Sequence, residues 1–355
     1  MVVATKAEAE QVRQAVSPGI SVVLCCHNAR TRLEPTLTHL LAQSGMTDER
    51  WEVIVVDNAS TDGTGEFAKA VWQAGGAVTE LRVLREEKLG VVNARITGIM
   101  AARHEILSFV DDDNWVAPTW CRTILDLMAA RPGIGVIGGR STAVPEPGAS
   151  LPPWFAGLAH GYAVGPQAAR TGWVEKALPQ FYGAGLTARS EALKALVRRG
   201  FSTMLTGRFG RRLTAGEDSE LCYALGLGGL RFWYEDSLRF AHFMPRQRLT
   251  EDYARRLFRG LGIASGFEDL YHRQAAGRMT AIKHLAPFRY ANGLRLLLRH
   301  GLRSLSPMRD AGARSQARIE ISFFLGRLEG IRASERQRRQ FIDHIARWAS
   351  PQNWK

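Results

Sequence analysis

Residues 20–25 (ISVVLC) form a nearly continuous apolar run with β-branched members. A polar turn follows, and then Leu33, Leu37, Leu40 and Leu41 fall at helical spacing, so the segment predicts strand, loop and helix. The pattern recurs in EVIVV at 52–56, the turn DNASTDGTG and a helix over 66–72. A third strand is predicted at 81–84, before a helix over 91–103. A fourth, ILSFV at 106–110, runs straight into Asp111, Asp112 and Asp113. Pro118 suits the first turn of the next helix, which carries Ile124, Leu125 and Met128. Strands and helices that alternate at this length predict an α/β fold, a mostly parallel central sheet with helices on both faces.

The rhythm changes afterwards. Residues 141–180 read as a long irregular loop shaped for a substrate, with Pro145, Pro147, Pro152, Pro153, Pro179 and several aromatics. Helices are predicted to resume at 190–199 and 217–225. Beyond Pro245 the chain reads as mainly helical, with Leu294, Leu297, Leu298, Leu302 and Leu305 on one side and Arg295, Arg299 and Arg303 on another. Charge marks the same boundary. Residues 246–355 hold 22 Lys and Arg against 9 Asp and Glu, which accounts for the whole formal charge of +13. The predicted organisation is a tail at 1–16, an α/β domain at 17–245 and a basic helical extension at 246–355. No apolar stretch reaches the 18 residues of a membrane helix, and the first residues have no signal core, so a cytoplasmic protein is expected. The cysteines Cys25, Cys26, Cys121 and Cys222 lie in apolar runs without metal-type spacing and read as buried free thiols.

In open parallel sheets ligands bind at the carboxyl edge, where loops and helix N-termini converge. Asn28 follows the first predicted strand, Asp57 the second and Asp111–Asp113 the fourth. Three adjacent carboxylates repel unless a cation offsets them. Oxygen ligands beside a phosphate-sized crevice suit Mg²⁺ or Mn²⁺, bridging diphosphate oxygens. A solvated acidic loop or helix cap would carry the same residues.

Together VVLCCHN, VIVVDNASTDGT, LGVVNARITGI, LSFVDDDNW and GEDSELCYAL resemble, in order, the motifs of family 2 glycosyltransferases with the GT-A fold. The resemblance spans about residues 19–245. It implies an inverting, metal-dependent transfer from a nucleotide sugar, of UDP type, to a hydroxyl acceptor in bacterial envelope glycan or glycolipid synthesis. By analogy Asp57 meets the base edge, Asp111 the ribose and metal region, and Asp113 the metal that holds the diphosphate. Asn28 and Asp112 fall at the nucleotide crevice, and Arg95 at the position that contacts the nucleotide or its phosphates. Asp218, preceded by Glu217, matches the acceptor-activating base, with Gly216 giving the acceptor close approach; first-turn helix capping is the plainer alternative. His242 resembles a further metal or diphosphate ligand, with a partly buried structural histidine as the alternative, and Arg246 and Arg248 are candidates to neutralise diphosphate, with a solvated basic face as the simpler explanation. Trp154, Phe155, Trp173, Phe181 and Tyr182 are candidates for stacking on sugar faces or for packing.

Departures narrow the reading. His27 stands where an aromatic usually precedes the asparagine, Ser219 stands where an aromatic or tryptophan usually follows the acidic pair, and no QXXRW-like segment is present. A single addition per acceptor is therefore expected, to a glycan, a lipid-linked or a small-molecule acceptor. The turn CCHNARTRLEP has no glycine, which argues against nucleotidyltransferase, NAD or SAM chemistry. The alternative of another class is an inactive nucleotide-sugar or membrane-surface scaffold. The Arg/Leu helices suit docking on anionic lipid, or self-association, better than nucleic-acid binding.

Overall fold

A computed structural model describes residues 17–46, 51–76, 79–205, 208–209, 212–213, 215–275, 290–298 and 310–348. The first unit alternates strictly: β1 (Ser17–Cys26), α1 (Leu33–Leu41), β2 (Trp51–Asn58), α2 (Thr64–Ala74), β3 (Glu80–Glu86), α3 (Val91–Ala101) and β4 (His104–Phe109). A mixed unit follows, with β5 (Asn114–Val116), α4 (Trp120–Ala130), β6 (Ile134–Pro145), a short α5 (Phe155–Leu158), β7 (Gly172–Trp173), β8 (Thr187–Arg189) and α6 (Ser190–Arg198). It closes with the hairpin β9 (Arg208–Phe209) and β10 (Arg212–Leu213), then α7 (Glu217–Leu227) and the long β11 (Arg231–Met244). Helices α8 (Glu251–Ala275), α9 (Ala311–Arg336) and α10 (Arg338–Trp348) complete the described chain, with a helical stretch at 290–298.

The main sheet has the order β3-β2-β1-β4-β8-β6-β11-β5, with β7 pairing on β11. From β3 to β4 every pairing is parallel, as the alternation of elements predicts. The far half is mixed: β8 runs antiparallel between β4 and β6, while β6 and β11 pair in parallel. Side-chain alternation splits β1 between two cores. Ile20, Val22 and Leu24 face α1, Trp72 and Trp120, and Val23 faces the opposite core with Ile54, Val56 and Phe109. Of the cysteines, Cys26, Cys121 and Cys222 are buried and Cys25 is half-buried, and all four are free thiols.

Two expectations need correction. The predicted irregular loop at 141–180 begins inside β6, which runs unbroken to Pro145. Its glycines disguise it, yet packing demands them: a Cβ on Gly138 would lie 2.5 Å from the Phe181 ring, and one on Gly139 2.2 Å from the Leu238 carbonyl oxygen. Pro118 lies two residues ahead of α4, whose N-cap is Thr119, and not in its first turn.

The C-terminal helices are joined to the sheet core. Leu270, Tyr271, Phe341, Ile345 and Trp348 are buried in the same cluster as Phe109 and Leu186. Helices α8 and α9 pack backbone against backbone through Gly262 and Gly266 on one and Gly326 and Gly330 on the other. A Cβ on Gly262 would sit 2.0 Å from the Phe323 carbonyl oxygen, and one on Gly330 2.1 Å from that of Ile263. The partners are backbone atoms that cannot rotate away. Leu302, Leu305, Arg299 and Arg303 of the predicted Leu/Arg face, and the tail at 1–16, lie outside the described residues. No helix among the described residues is long and apolar enough to cross a membrane.

Gly330→Ala is therefore expected to lower unfolding free energy by about 1–3 kcal/mol through overpacking, despite the better helix propensity of alanine. Urea denaturation checks this; equal or higher stability would mean that the helices are not held at backbone contact.

Candidate active site

The carboxyl ends of β1, β2 and β4 lie side by side because β1 pairs with both neighbours, Cys26 standing opposite Asp57 and Val23 opposite Phe109. At the end of β1 the chain turns through Asn28 in the left-handed region (φ 46°), a conformation asparagine tolerates better than most residues. The turn is stitched to the next loop. Asn28 N–H donates to the Ser60 hydroxyl at 3.0 Å and its Oδ1 accepts from Thr61 N–H at 2.9 Å. Asp57 is buried, with Oδ1 accepting from Ser60 N–H (3.0 Å) and Oδ2 from Arg85 Nη1 (2.9 Å).

The three aspartates after β4 meet different partners. Both oxygens of Asp112 are engaged by the Arg32 guanidinium, at 2.8 Å from Nε and 2.7 Å from Nη2. Arg32 also donates to the carbonyls of Asn28 and His27, so it ties the β1 loop to the aspartate run. Burial, with repulsion from Asp113, pushes Asp112 up to about 6 against the pull of Arg32. Asp113 turns towards β11, because β5 pairs antiparallel with β11 and sets Asn114 opposite His242. Its Oδ2 accepts from Arg248 Nη1 at 2.8 Å, and its Oδ1 lies 3.5 Å from His242 Nε2. His242 is itself buried.

Asp111 faces a third arginine. Burial works against the charge of Arg95, but Glu217, Asp111 and Asp218 outweigh it and hold its pKa above the ordinary arginine range. Arg95 also lies over the Phe109 ring, 5.5 Å from its centroid. Gly183 lets Arg95 and Asp218 draw together: a Cβ there would meet Arg95 Nη2 at 2.3 Å and Asp218 Cβ at 3.0 Å. Asp218 Oδ2 accepts from Gly183 N–H and Oδ1 from Ser219 N–H, both at 2.8 Å. One oxygen thus meets a first-turn N–H of α7, whose N-cap is Gly216, and the other is anchored on the facing loop.

Gly216 has a different task from the one expected. With φ 110° it favours glycine, and the space a Cβ would take is filled by Leu205 (2.5 Å) and Ala264 (2.8 Å), so the glycine admits α8 and not an acceptor. Trp154, Phe155 and Phe181 are buried in the cores, and Trp173 packs edge-on to Trp233 beneath Arg231. Of the five aromatics, Tyr182 has its hydroxyl pushed up to about 12, by burial first and then by the charge of Asp218.

Residues 21–195 match the family described as Glycosyl transferase family 2. The matched stretch, just under half of the chain, is a family 2 glycosyltransferase sequence. Among curated relatives, the glycosyltransferase GlyG of Streptococcus pneumoniae is 33% identical over 120 residues, covering 34% of this chain and 38% of that protein. The succinoglycan biosynthesis protein ExoA of Rhizobium meliloti is 25% identical over 262 residues, 72% of each. The matches to GlyG and to the glycosyltransferase AglE of Haloferax volcanii span under half of those proteins' lengths, 38% and 39%. A mannosyltransferase from Pyrobaculum calidifontis, solved with GDP-Man and Mn²⁺, superposes with a TM-score of 0.52 at 20% identity, covering 89% of this chain and 88% of that one. That likeness establishes the GT-A type of fold.

Arg32 is not legible as a site residue in the sequence, since the turn CCHNARTR offers it without any distinguishing signal. Removing it leaves Asp112 buried beside Asp113. Arg32 is 30% exposed, so water screens part of the pair, and Arg32→Ala is expected to cost on the order of 2 kcal/mol at pH 8. Because the folded Asp112 titrates near 6, the deficit grows as pH rises through that value and shrinks at pH 5, where a protonated Asp112 needs no cation. Arg32→Lys restores only part of it, since lysine cannot reproduce the fork. Urea unfolding at the two pH values measures this; a deficit independent of pH would contradict the assignment.

Proposed function

We propose that the protein is an inverting glycosyltransferase that moves a sugar from a nucleotide-sugar donor, of UDP type, to a hydroxyl acceptor, using Mg²⁺ or Mn²⁺. The observation that carries the reading is Asp218 fixed by two backbone N–H groups beside Arg95, next to the aspartate run at the end of β4. Asp57 and Asn28 sit where a base and ribose would lie along the edge of β1 and β2. Asp111 and Arg95 flank the diphosphate position. Asp112, already forked by Arg32, supports this arrangement from beneath.

Asp113 and His242 offer one carboxylate and one imidazole to a divalent ion, and Asp111 a second carboxylate. Among the described residues no three His, Cys, Asp or Glu side chains form a metal cluster. A hard cation shared with substrate phosphates needs only one or two carboxylates from the protein, so the donor set is adequate. Arg248, at 2.8 Å from Asp113, supplies the positive charge there in this structure. A bound ion would neutralise the departing diphosphate. The chain's own residues do the rest. Asp218 takes the proton of the acceptor hydroxyl while that oxygen bonds to the anomeric carbon; the bond to the diphosphate breaks and its electron pair leaves with the nucleotide. Arg95 and Arg248 hold the anionic leaving group.

The acceptor side favours a lipid surface. Leu294 and Leu298 are 51% and 62% exposed on the helical stretch 290–298, beside exposed Arg295, an arrangement suited to anionic bilayers and lipid-linked acceptors. On this reading the protein works at a cytoplasmic membrane face in envelope glycan synthesis. Leu294→Glu with Leu298→Glu is expected to weaken binding to vesicles containing phosphatidylglycerol at least tenfold; unchanged binding removes the docking role.

Nucleotide release from a panel of UDP-, GDP- and dTDP-sugars with Mn²⁺ tests the chemistry. Asp113→Ala and Asp218→Asn are each expected to lower turnover of the accepted donor at least a hundredfold, the first also weakening the response to Mn²⁺. A wild type that neither binds nor turns over any of these donors would instead support a non-catalytic scaffold.

A further inference from the structure

Asp113 and Arg248 form a pair in which one partner is fixed and the other can leave. The Asp113 side chain is 6% exposed. Its backbone carbonyl accepts from Phe243 N–H at 2.9 Å, which ties it to β11, while its Oδ1 accepts from Asn114 Nδ2 at 3.2 Å and lies 3.5 Å from His242 Nε2. The carboxylate therefore stays where β5 and β11 put it. Arg248 stands on the single turn 246–249 between β11 and α8, and its backbone is equally pinned: its N–H donates to the Pro245 carbonyl at 2.8 Å, and its own carbonyl accepts from the Tyr162 hydroxyl at 3.0 Å. Its side chain is different. The guanidinium reaches Asp113 Oδ2 at 2.8 Å and lies 3.5 Å from His242 Nε2 at the end of a long flexible stem that is 20% exposed, so it can swing towards solvent without any shift of the turn.

Of the two arginines considered as partners for diphosphate, Arg246 donates its guanidinium to the Gly148 carbonyl at 3.2 Å and its backbone N–H to Glu146 at 2.8 Å. Arg248 is the one that meets the aspartate run. It touches the same two side chains, Asp113 and His242, that are offered to a divalent ion. The two uses exclude each other, since a guanidinium and a divalent cation repel at contact distance. An ion that displaces Arg248 by itself leaves the guanidinium without its carboxylate. A diphosphate offsets that loss, because its oxygens take the guanidinium as a forked partner.

We propose that Arg248 is an exchangeable counter-ion of Asp113: it passes from the carboxylate to the donor's diphosphate, and so makes the binding of the divalent ion and of the donor depend on each other. This rests on the proposed reading of Asp113 as a metal ligand. By linkage, ion and nucleotide strengthen each other's binding by the same factor, and Arg248 adds to that factor beyond the direct contact of the ion with phosphate.

The test follows Mn²⁺ binding by electron paramagnetic resonance in the full-length wild type, Arg248→Gln and Asp113→Ala, first with the ion alone and then with saturating UDP or GDP, whichever the wild type binds. Arg248→Gln is expected to bind Mn²⁺ alone at least tenfold more tightly than the wild type and to gain less from the nucleotide. An Arg248→Gln protein that binds Mn²⁺ alone no more tightly than the wild type, while Asp113→Ala binds it less, overturns the inference and leaves the metal-dependent function standing. Unchanged binding in Asp113→Ala removes Asp113 as a ligand and the role of Arg248 with it. If Arg248→Gln does not fold on its own, it is refolded with and without Mn²⁺. Cooperative unfolding recovered only with the ion supports exchange of the guanidinium for the ion, and no recovery overturns the inference.

Discussion

Three consecutive carboxylates at the end of β4 set a constraint that the rest of the site must meet. Adjacent anions in a partly buried turn repel one another, and each must find positive charge or hydrogen-bond donors. The fold answers by pairing Asp112 with Arg32 and Asp113 with Arg248, and by placing Arg95 within the field of Asp111. Arg32 arrives from the turn after β1, Arg248 from the segment after β11, and Arg95 from the first turns of α3. Only a finished sheet can gather these. Asp113 reaches Arg248 because β5 pairs with β11, a contact between residues more than a hundred positions apart in sequence. On the proposed reading, an anionic donor entering this place would compete with the aspartates for these arginines.

The parallel half of the sheet was legible because its inner strands are buried on both faces and its turns are polar. ISVVLC, EVIVV and ILSFV allow little else. β6 and β11 were harder. Gly135, Gly138 and Gly139 punctuate β6 as a loop would, and their reason, the Phe181 ring and the Leu238 carbonyl pressed against them, exists only after folding. The same holds for the α8/α9 contact. The spacing of Gly262 and Gly266, and of Gly326 and Gly330, is visible in the sequence, but isolated glycines in a helix read as weak points until the partner helix is known. At the site, acidic residues announced themselves by clustering at predicted strand ends. Their counter-ions did not, since Arg32 and Arg248 are two arginines among many in a basic chain.

The helical C-terminal extension, by charge alone, looks like an appendage. Packing makes it part of the site's foundation. Ala264 closes over Gly216 where α7 begins, Tyr271 donates to the buried Glu220, and Phe341 and Trp348 complete the core beneath. Its acidic residues are largely consumed internally, Glu251 by Arg318, Asp269 by Arg327, Glu329 by Arg259 and Glu335 by Arg273. Among the described residues these pairs leave the inner face neutral enough to pack.

That division explains how a strongly basic segment can sit against an acidic centre without collapsing onto it. Long arginines sent from α8 to Asp218 would add to Arg95 in pairing with the proposed base. Instead α8 meets α7 with small or aromatic side chains, Ala264 and Tyr271, and brings a carboxylate, Glu268, into the field of Asp218. Arg327, the nearby cation of α9, is spent on Asp269. A carboxylate beside a carboxylate costs stability. The glycine-lined contact of α8 with α9 and the aromatic packing behind it offset that cost, since a rigid support is what allows like charges to be held within each other's field.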